Sequence, residues 1–414
     1  MSSSFRNAAR FAALALVLAS ATVHAQQKYF IPEVSLSSEA HTNRQFFTNS
    51  AEAQTTELYR LGLGANFGDI TPRGKTDVDA RIGYRDFSES NTSSLIDGFV
   101  DLKSNYDFIR KSFAVEGHFE HQDIVTAETG AAGFDASGNP VTVDSGTIRG
   151  RGTRNLYDIA PSFSYDLSEK AFLDTKLQYQ AVRFDVPDNI VAARVGFDSP
   201  YAELTIGRRF GELTSLSIGP YYTRFKADDG STRTNTLGSI ISMHHDWSAV
   251  SNLAVNLRLE RNQHQEFLPT PAPETSANSW GLEFVGYRQT QTGWIRYGLG
   301  RFLQPSTLGD RLQEDQLRLE FNRAITQRVS WNGAVRLTRD RLANNPNSTN
   351  NRDRDFLTLA FSDFLTQRLQ LMGGYRFIWQ NFQSINEKAH DNALFLTLTY
   401  RGQRPEGFKR SHED

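Results

Sequence analysis

The chain is dominated by long segments in which apolar and polar residues alternate. In the last of them, Ala393 to Tyr400, Leu and Tyr occupy the even positions, whereas Ala, Phe and Thr occupy the odd ones. Successive side chains of a β-strand point to opposite faces, so this pattern predicts a strand with one apolar and one more polar face. Such segments, for example Pro32 to Thr42 and Lys111 to Ile124, run for roughly ten to fifteen residues, whereas strands of soluble proteins typically have ~5–6. A tilted strand that crosses a membrane needs about 9–11.

The connections between these segments alternate between tight and loose. Two tight ones, Ile325 to Arg328 and Leu365 to Arg368, have nearly the same sequence. Two loose ones, Asn43 to Gln54 and Val125 to Gly152, are polar. Short periplasmic turns and longer external loops are typical of outer-membrane barrels. The sequence therefore predicts an all-β fold, an antiparallel up-and-down transmembrane β-barrel of about 18 strands, with 16 as the lower bound.

Two other all-β architectures are weaker alternatives. The near-repeat of the tight turns has a unit of roughly forty residues, which a β-propeller could also show. A propeller, however, has four shorter strands per repeat and tight turns on both sides. A soluble β-sandwich is disfavoured by the same strand lengths and loop alternation.

The first 25 residues have the layout of a secretory signal peptide. Arg6 and Arg10 precede a short apolar run, Phe11 to Ala19, and Ala25 ends the segment on a small residue. The apolar run is too short for a spanning helix, which needs about 20 residues. We therefore expect a signal peptide at 1–25, an outer-membrane barrel at 26–401 and a polar periplasmic tail at 402–414.

The overall composition fits such a barrel. Mean hydropathy is −0.49, which is compatible with strands that meet lipid only at alternate residues. The chain has no cysteine, which excludes disulfides and thiolate metal sites, and its formal charge of −2 gives no support to nucleic-acid binding. Its 29 Phe, 14 Tyr and 5 Trp suit aromatic girdles at the membrane interfaces. The predicted girdle residues are Trp247, Trp331, Trp379 and Tyr400.

The polar face of the strands carries charges of both signs, interspersed. Arg or Lys at mid-membrane costs ~2–4 kcal/mol, so these charges are expected to face an aqueous lumen. Self-paired charges in a polar interior are the simpler interpretation, and a solute path is the functional one. Aromatic rings on the same face, Phe99 and Tyr221 among them, could stack on sugar rings. The candidates for lining the lumen are Arg60, Arg81, Arg85, Lys103, Glu116, Asp174, Lys176, Arg258, Glu260, Arg318, Glu320, Arg336, Arg376, Phe356 and Phe395.

The sequence offers no catalytic constellation. His244 and His245 are adjacent, so on a strand they point to opposite faces and cannot form a dyad. No glycine-rich phosphate motif lies between a strand and a helix. Asp353 and Asp355 could bind a cation, although solvated loop polarity explains them more simply. We predict no enzyme activity, no catalytic or metal-binding residues and no cofactor.

The chain resembles the β-barrel porins that accompany bacterial exopolysaccharide and capsule gene clusters. The residues that carry the resemblance are the signal peptide, the repeated Thr-Gln-Arg turns, the strand Leu371 to Phe377 and the closing strand Leu394 to Tyr400. The resemblance covers essentially the whole mature chain but is architectural. Residues beyond Tyr400 depart from it, because typical barrels end at or near that aromatic.

The resemblance implies export of a hydrophilic polymer, most plainly exopolysaccharide, across the outer membrane of a Gram-negative bacterium. The implied partners are outer-membrane lipid, the barrel-insertion machinery and a periplasmic polysaccharide export protein, with no nucleic acid. A general or small-solute diffusion porin is the alternative function. The loop Val125 to Gly152 could fold inward and constrict the pore.

Overall fold

The computed structural model describes residues 27–44, 46–47, 53–88, 95–129, 152–185, 195–267, 271–306, 311–342, 351–383 and 387–402. These residues form one antiparallel sheet of eighteen strands and one short helix. The first nine strands are β1 (Gln27–His41), β2 (Thr56–Thr71), β3 (Gly74–Phe87), β4 (Leu95–Asp107), β5 (Lys111–Asp123), β6 (Thr153–Asp166), β7 (Ala171–Asp185), β8 (Phe197–Phe210) and β9 (Thr214–Ala227). The other nine are β10 (Thr232–Ser248), β11 (Ser251–Glu266), β12 (Thr275–Thr290), β13 (Gly293–Pro305), β14 (Arg311–Ala324), β15 (Val329–Leu342), β16 (Arg352–Phe364), β17 (Leu369–Phe382) and β18 (Glu387–Arg401). The helix, α1 (Ile124–Thr129), directly follows β5.

The sheet closes on itself. Each strand pairs with the next along the chain, and β1 pairs with β18 in a register that runs from Glu33 opposite Arg401 to His41 opposite Ala393. Closure leaves the sheet without an unpaired edge, which is what allows strands to span a bilayer. The predicted eighteen-stranded antiparallel barrel is therefore confirmed. No helix in the described part of the chain is long and apolar enough to cross a membrane.

The connections differ at the two ends of the barrel, as predicted. At one end the turns have two to four residues, and at the other the loops have four to twenty-nine. Porin-type barrels place short turns in the periplasm and longer loops outside. We therefore call the short-turn end periplasmic and the loop end extracellular.

The outer wall carries the apolar phase of the strands. On β18, the outward-facing side chains of Leu394 and Leu396 are 65% and 54% exposed. The inward-facing side chain of Ala393 on the same strand is 1% exposed. In water such a belt of exposed Leu, Ile, Phe and Tyr side chains would be unfavourable, but in a bilayer it meets acyl chains. The barrel is thus of the outer-membrane type. Trp247, Trp331 and Tyr400 lie exposed near the periplasmic end of this belt, at the predicted girdle.

Two expected boundaries need correction. The first strand begins at Gln27 and continues through Pro32, rather than starting at that proline. β5 ends at Asp123, and Ile124 begins a helical turn instead of ending the strand. The expected signal peptide, 1–25, lies outside the described residues, as do 403–414 of the tail expected at 402–414 and 130–151 of the long loop.

Candidate functional site

The barrel encloses a cavity of about 1580 Å³. Its wall is formed by residues of the strands from β1 to β14, by Ala127 of α1 and by the periplasmic ends of β16, β17 and β18. The alternation of the strands brings these polar side chains inward, because their neighbours in sequence form the lipid-facing belt. The cavity is the candidate path for a solute.

The cavity wall is charged but balanced. Ten carboxylates and nine Lys or Arg side chains line it, and several pair with one another. Arg81 lies 2.6 Å from an Asp79 oxygen and 3.2 Å from Asp101, and His118 Nδ1 lies 2.6 Å from Asp101. Paired charges of both signs give the path hydrogen-bonding capacity without a strong field of one sign.

The structure separates the predicted lumen-lining residues into two groups. Strand alternation places all of them on the inner phase of the sheet. Those on the wall of the cavity are Arg81, Lys103, Glu116, Lys176, Arg258 and Glu260. Those that face inward elsewhere are Arg60, Arg85, Asp174, Arg318, Glu320, Arg336, Arg376, Phe356 and Phe395. Their contribution to transport stays a prediction.

Arginines cover the inward-facing aromatic rings. The guanidiniums of Arg60 and Arg81 lie 5.8 and 5.6 Å from the centre of the Phe99 ring. Arg336 lies 4.2 Å from the centre of Phe356, a ring that is itself buried. Cation–π contacts of this kind hold both partners in place. Phe356 therefore packs the lumen wall and offers no face for stacking on a sugar.

The helix α1 narrows the extracellular half of the lumen. Ile124, Val125 and Ala127 are all buried, and Val125 packs in one apolar cluster with Phe46 from the loop after β1. The same cluster contains Phe356 of β16, Ile378 of β17 and Ala389 of β18. The strands β1 to β4 lie between β18 and β5 in the closed sheet.

Because of that separation, α1 reaches across the lumen from β5 to contact the wall formed by β16 to β18. The first residues of the predicted constricting loop thus fold inward. The loop's remaining residues, 130–151, lie outside the described part of the chain.

Polar contacts fix the start of α1. Asp123 accepts hydrogen bonds from the Thr126 backbone N–H and hydroxyl, both at 3.0 Å, which is the geometry of a helix N-cap. Arg44 Nη2 lies 2.5 Å from the same carboxylate and donates to the Thr126 hydroxyl at 3.1 Å. Arg85, from the predicted set, also donates to that hydroxyl. Buried, charge-assisted contacts of this kind are stronger than neutral ones. The apolar cluster around Val125 and these polar contacts at Asp123 and Thr126 therefore both hold α1 in place.

A second buried cluster fills the lumen beside β14, β15 and β16. Asp340 accepts from Arg352 Nε at 3.0 Å and lies 2.8 Å from Arg354 Nη2, and all three side chains are at most 2% exposed. Arg354 also lies 3.8 Å from a Glu314 oxygen. These groups occupy inner-wall space at the extracellular end of the strands.

Sequence reasoning missed both of these clusters. Asp340 and Arg354 follow the inner phase of β15 and β16 and could have been found by extending the alternation. Arg44 and Asp123 border loops, and no pattern in the sequence signals their contact. Asp353, weighed as a loop cation ligand, lies instead in β16 and pairs with Arg341 at 3.1 Å. Among the described residues, no group of three or more His, Asp or Glu is placed to hold a metal ion.

Comparisons with known proteins find structural similarity only. No family model matches the chain. No curated protein matches it by sequence. Among solved structures, OccAB2 of Acinetobacter baumannii aligns at a TM-score of 0.45 and 10% identity, over 91% of this chain and 98% of that one.

Two further solved structures align at similar levels. OpdQ of Pseudomonas aeruginosa aligns at a TM-score of 0.43 and 8% identity, over 92% of this chain and 99% of that one. The siderophore receptor PiuA of A. baumannii aligns at 0.45 and 9% identity, over 91% of this chain and 82% of that one.

Proposed function

We propose that this chain is an outer-membrane channel through which small hydrophilic solutes diffuse. The observation that carries the proposal is the narrowed lumen. An eighteen-stranded barrel is wide enough for a large aqueous channel. In this barrel, however, α1 and the buried clusters occupy part of the extracellular half of the lumen. The remaining cavity of about 1580 Å³ is somewhat larger than the ~300–1,000 Å³ of typical small-molecule sites. It suits a solute of a few sugar or amino-acid units better than a polymer in transit.

The chemistry of the wall supports the same proposal. Carboxylates, guanidiniums, amides and hydroxyls line the cavity together, so a hydrated solute can exchange water contacts for protein contacts along the whole path. Since acidic and basic groups are nearly equal in number, we expect weak selectivity between cations and anions.

Conductance in planar lipid bilayers tests whether the barrel is an open channel. We expect stepwise current increases on insertion, with a reversal potential close to zero in a salt gradient because the wall charges are balanced. The control is the same preparation after heat unfolding, which should give no steps. Folded barrels that insert without any conductance would contradict the proposal.

Polysaccharide export, the function implied by the resemblance, is the second candidate. It is favoured by the aromatic side chains on the cavity wall, where Tyr201 and Tyr221 have ring centres 5.7 Å apart. It requires α1 to leave the lumen and a periplasmic export protein to deliver the polymer. Deleting the gene and measuring surface polysaccharide distinguishes the two functions. Unchanged polysaccharide leaves only the small-solute channel.

A further inference from the structure

The outer wall bears a patch of four cationic side chains at the extracellular ends of β9, β10 and β11. This basic patch consists of Arg224, Lys226, Arg233 and Arg261. Each lies on the same strand phase as the exposed belt residues Tyr222, Leu237 and Leu259. The patch therefore faces outward, immediately above the apolar belt, and does not contact the solute path.

The sheet register brings the cations of this patch close together. Lys226 is directly opposite Arg233, and Arg224 lies one step below, opposite Asn235. On the next strand Arg261 is opposite Leu237. Side chains directly opposite on one face are only about 4.5–5.5 Å apart at Cβ, and like charges there destabilise the sheet. An anion placed between the cations would relieve this repulsion.

In the described part of the chain, the protein supplies a carboxylate only at the Lys226 edge of the patch, where Asp198 of β8 lies directly opposite Lys226. Arg233 donates to the Gln265 amide oxygen at 3.1 Å, and Arg261 donates to the Ser276 hydroxyl at 3.2 Å. Within the described ranges of the chain, none of the four cations forms an ion pair. Asp198 is itself paired with Arg183 at 2.7 Å, so positive charge exceeds negative charge in the patch.

Other outward-facing arginines at the extracellular edge of the barrel form ion pairs with carboxylates of the protein. Arg183 pairs with Asp198 at 2.7 Å and with Asp228 at 2.9 Å. Arg301 pairs with Asp315 at 2.6 Å, and Arg341 pairs with Asp353. These three arginines each lie within 3.1 Å of a carboxylate, whereas within the described ranges the four cations of the basic patch form no such ion pair.

We propose that the basic patch binds the phosphate groups of a phosphorylated lipid in the outer leaflet. A lipid whose acyl chains lie on the apolar belt beside Tyr222, Leu237 and Leu259 places its headgroup at the height of the patch. Guanidinium and ammonium groups match phosphate in charge and hydrogen-bonding geometry. Each cation near a membrane surface attracts anionic lipid by about 1 kcal/mol, so four on three strands form a specific site.

Binding of diphosphoryl lipid A to the purified, detergent-folded barrel tests the site. Native mass spectrometry counts bound lipids over a concentration series of diphosphoryl lipid A, with dephosphorylated lipid A and inorganic phosphate as separate arms. We compare the wild type with Lys226→Gln/Arg233→Gln. The matched control is Arg301→Gln/Arg341→Gln, which removes two outward cations from the same edge that are already paired.

We expect the patch variant to bind diphosphoryl lipid A about 30-fold more weakly, as the loss of two surface cations implies. The control should change by less than about two-fold, because its arginines are already neutralised. Gel mobility before and after heating verifies that both variants are folded.

Three results would overturn the inference. One is an equal loss of affinity in the patch variant and the control, and another is equal binding of phosphorylated and dephosphorylated lipid A. The third is displacement of the lipid by inorganic phosphate at comparable concentration, which would indicate a free-phosphate site. None of these outcomes bears on conductance, so the channel proposal is tested separately.

Discussion

The double substitution Ile124→Asn/Val125→Asn is expected to raise single-channel conductance severalfold. Both side chains are buried, and Val125 packs against the opposite wall in one cluster with Phe46, Phe356 and Ile378. Placing an amide in such an apolar cluster without hydrogen-bond partners costs on the order of 1–3 kcal/mol each. We therefore expect α1 to leave the lumen and the extracellular half of the pathway to widen.

The charge of the chain is unchanged in this variant, so an electrostatic effect on ion flow is excluded by design. The control is Ile109→Asn/Val250→Asn, at two exposed periplasmic turns, where the same substitutions replace apolar groups that are not packed. The measurement is the conductance distribution in planar bilayers. Conductance that stays at the wild-type level in a folded variant would show that α1 does not limit the pathway.

Asp340→Asn is expected to lower the free energy of unfolding by about 3 kcal/mol or more. Asp340 is fully buried and contacts both Arg352 and Arg354. Removing one partner of a buried ion pair typically costs ~3–5 kcal/mol, because the remaining charge stays in a low-dielectric interior. An Asn side chain has nearly the shape of Asp but carries no negative charge to neutralise the two guanidinium groups.

The matched control for this substitution is Asp315→Asn. Asp315 forms a bidentate pair with Arg301 on the outer wall, where both side chains are about one third exposed. Such exposed pairs contribute only ~0–1 kcal/mol. Urea unfolding of barrels folded into lipid vesicles measures both variants. Equal destabilisation by the two substitutions would contradict the view that the inner cluster stabilises the barrel.

The fold could be predicted from the sequence because one physical rule acts on every strand. Lipid on one side and water on the other impose the same two-residue period from β1 to β18, so a strand such as Leu394 to Tyr400 sets the phase by itself. The errors were in the predicted bounds of β1 and β5, because side chains at strand ends no longer contact lipid and the two-residue period fades there. Pro32 resembles a strand start because it lacks an N–H, yet its carbonyl accepts from Gly402 N at 2.7 Å and the strand extends beyond it.

The interior could be predicted only in part. Alternation assigns a residue such as Arg336 or Glu260 to the inner face but gives no information on which residues share a height around the barrel. The cluster of Phe46, Val125 and Phe356 joins residues that are 79 and 231 positions apart along the chain. Its formation depends on the inward path of α1, a six-residue segment that is too short to show a helical period in the sequence. The constriction, on which the proposed size limit depends, therefore had no local signal.

The size limit for solutes tests the central claim most directly. Vesicles containing the wild-type barrel are placed in isotonic solutions of sugars of increasing length, and swelling is followed by light scattering. The narrowed lumen predicts rapid swelling with monosaccharides, slower swelling with trisaccharides and none with long oligosaccharides. Equal permeation by long oligosaccharides, or no swelling even with the smallest sugar, would contradict a small-solute channel.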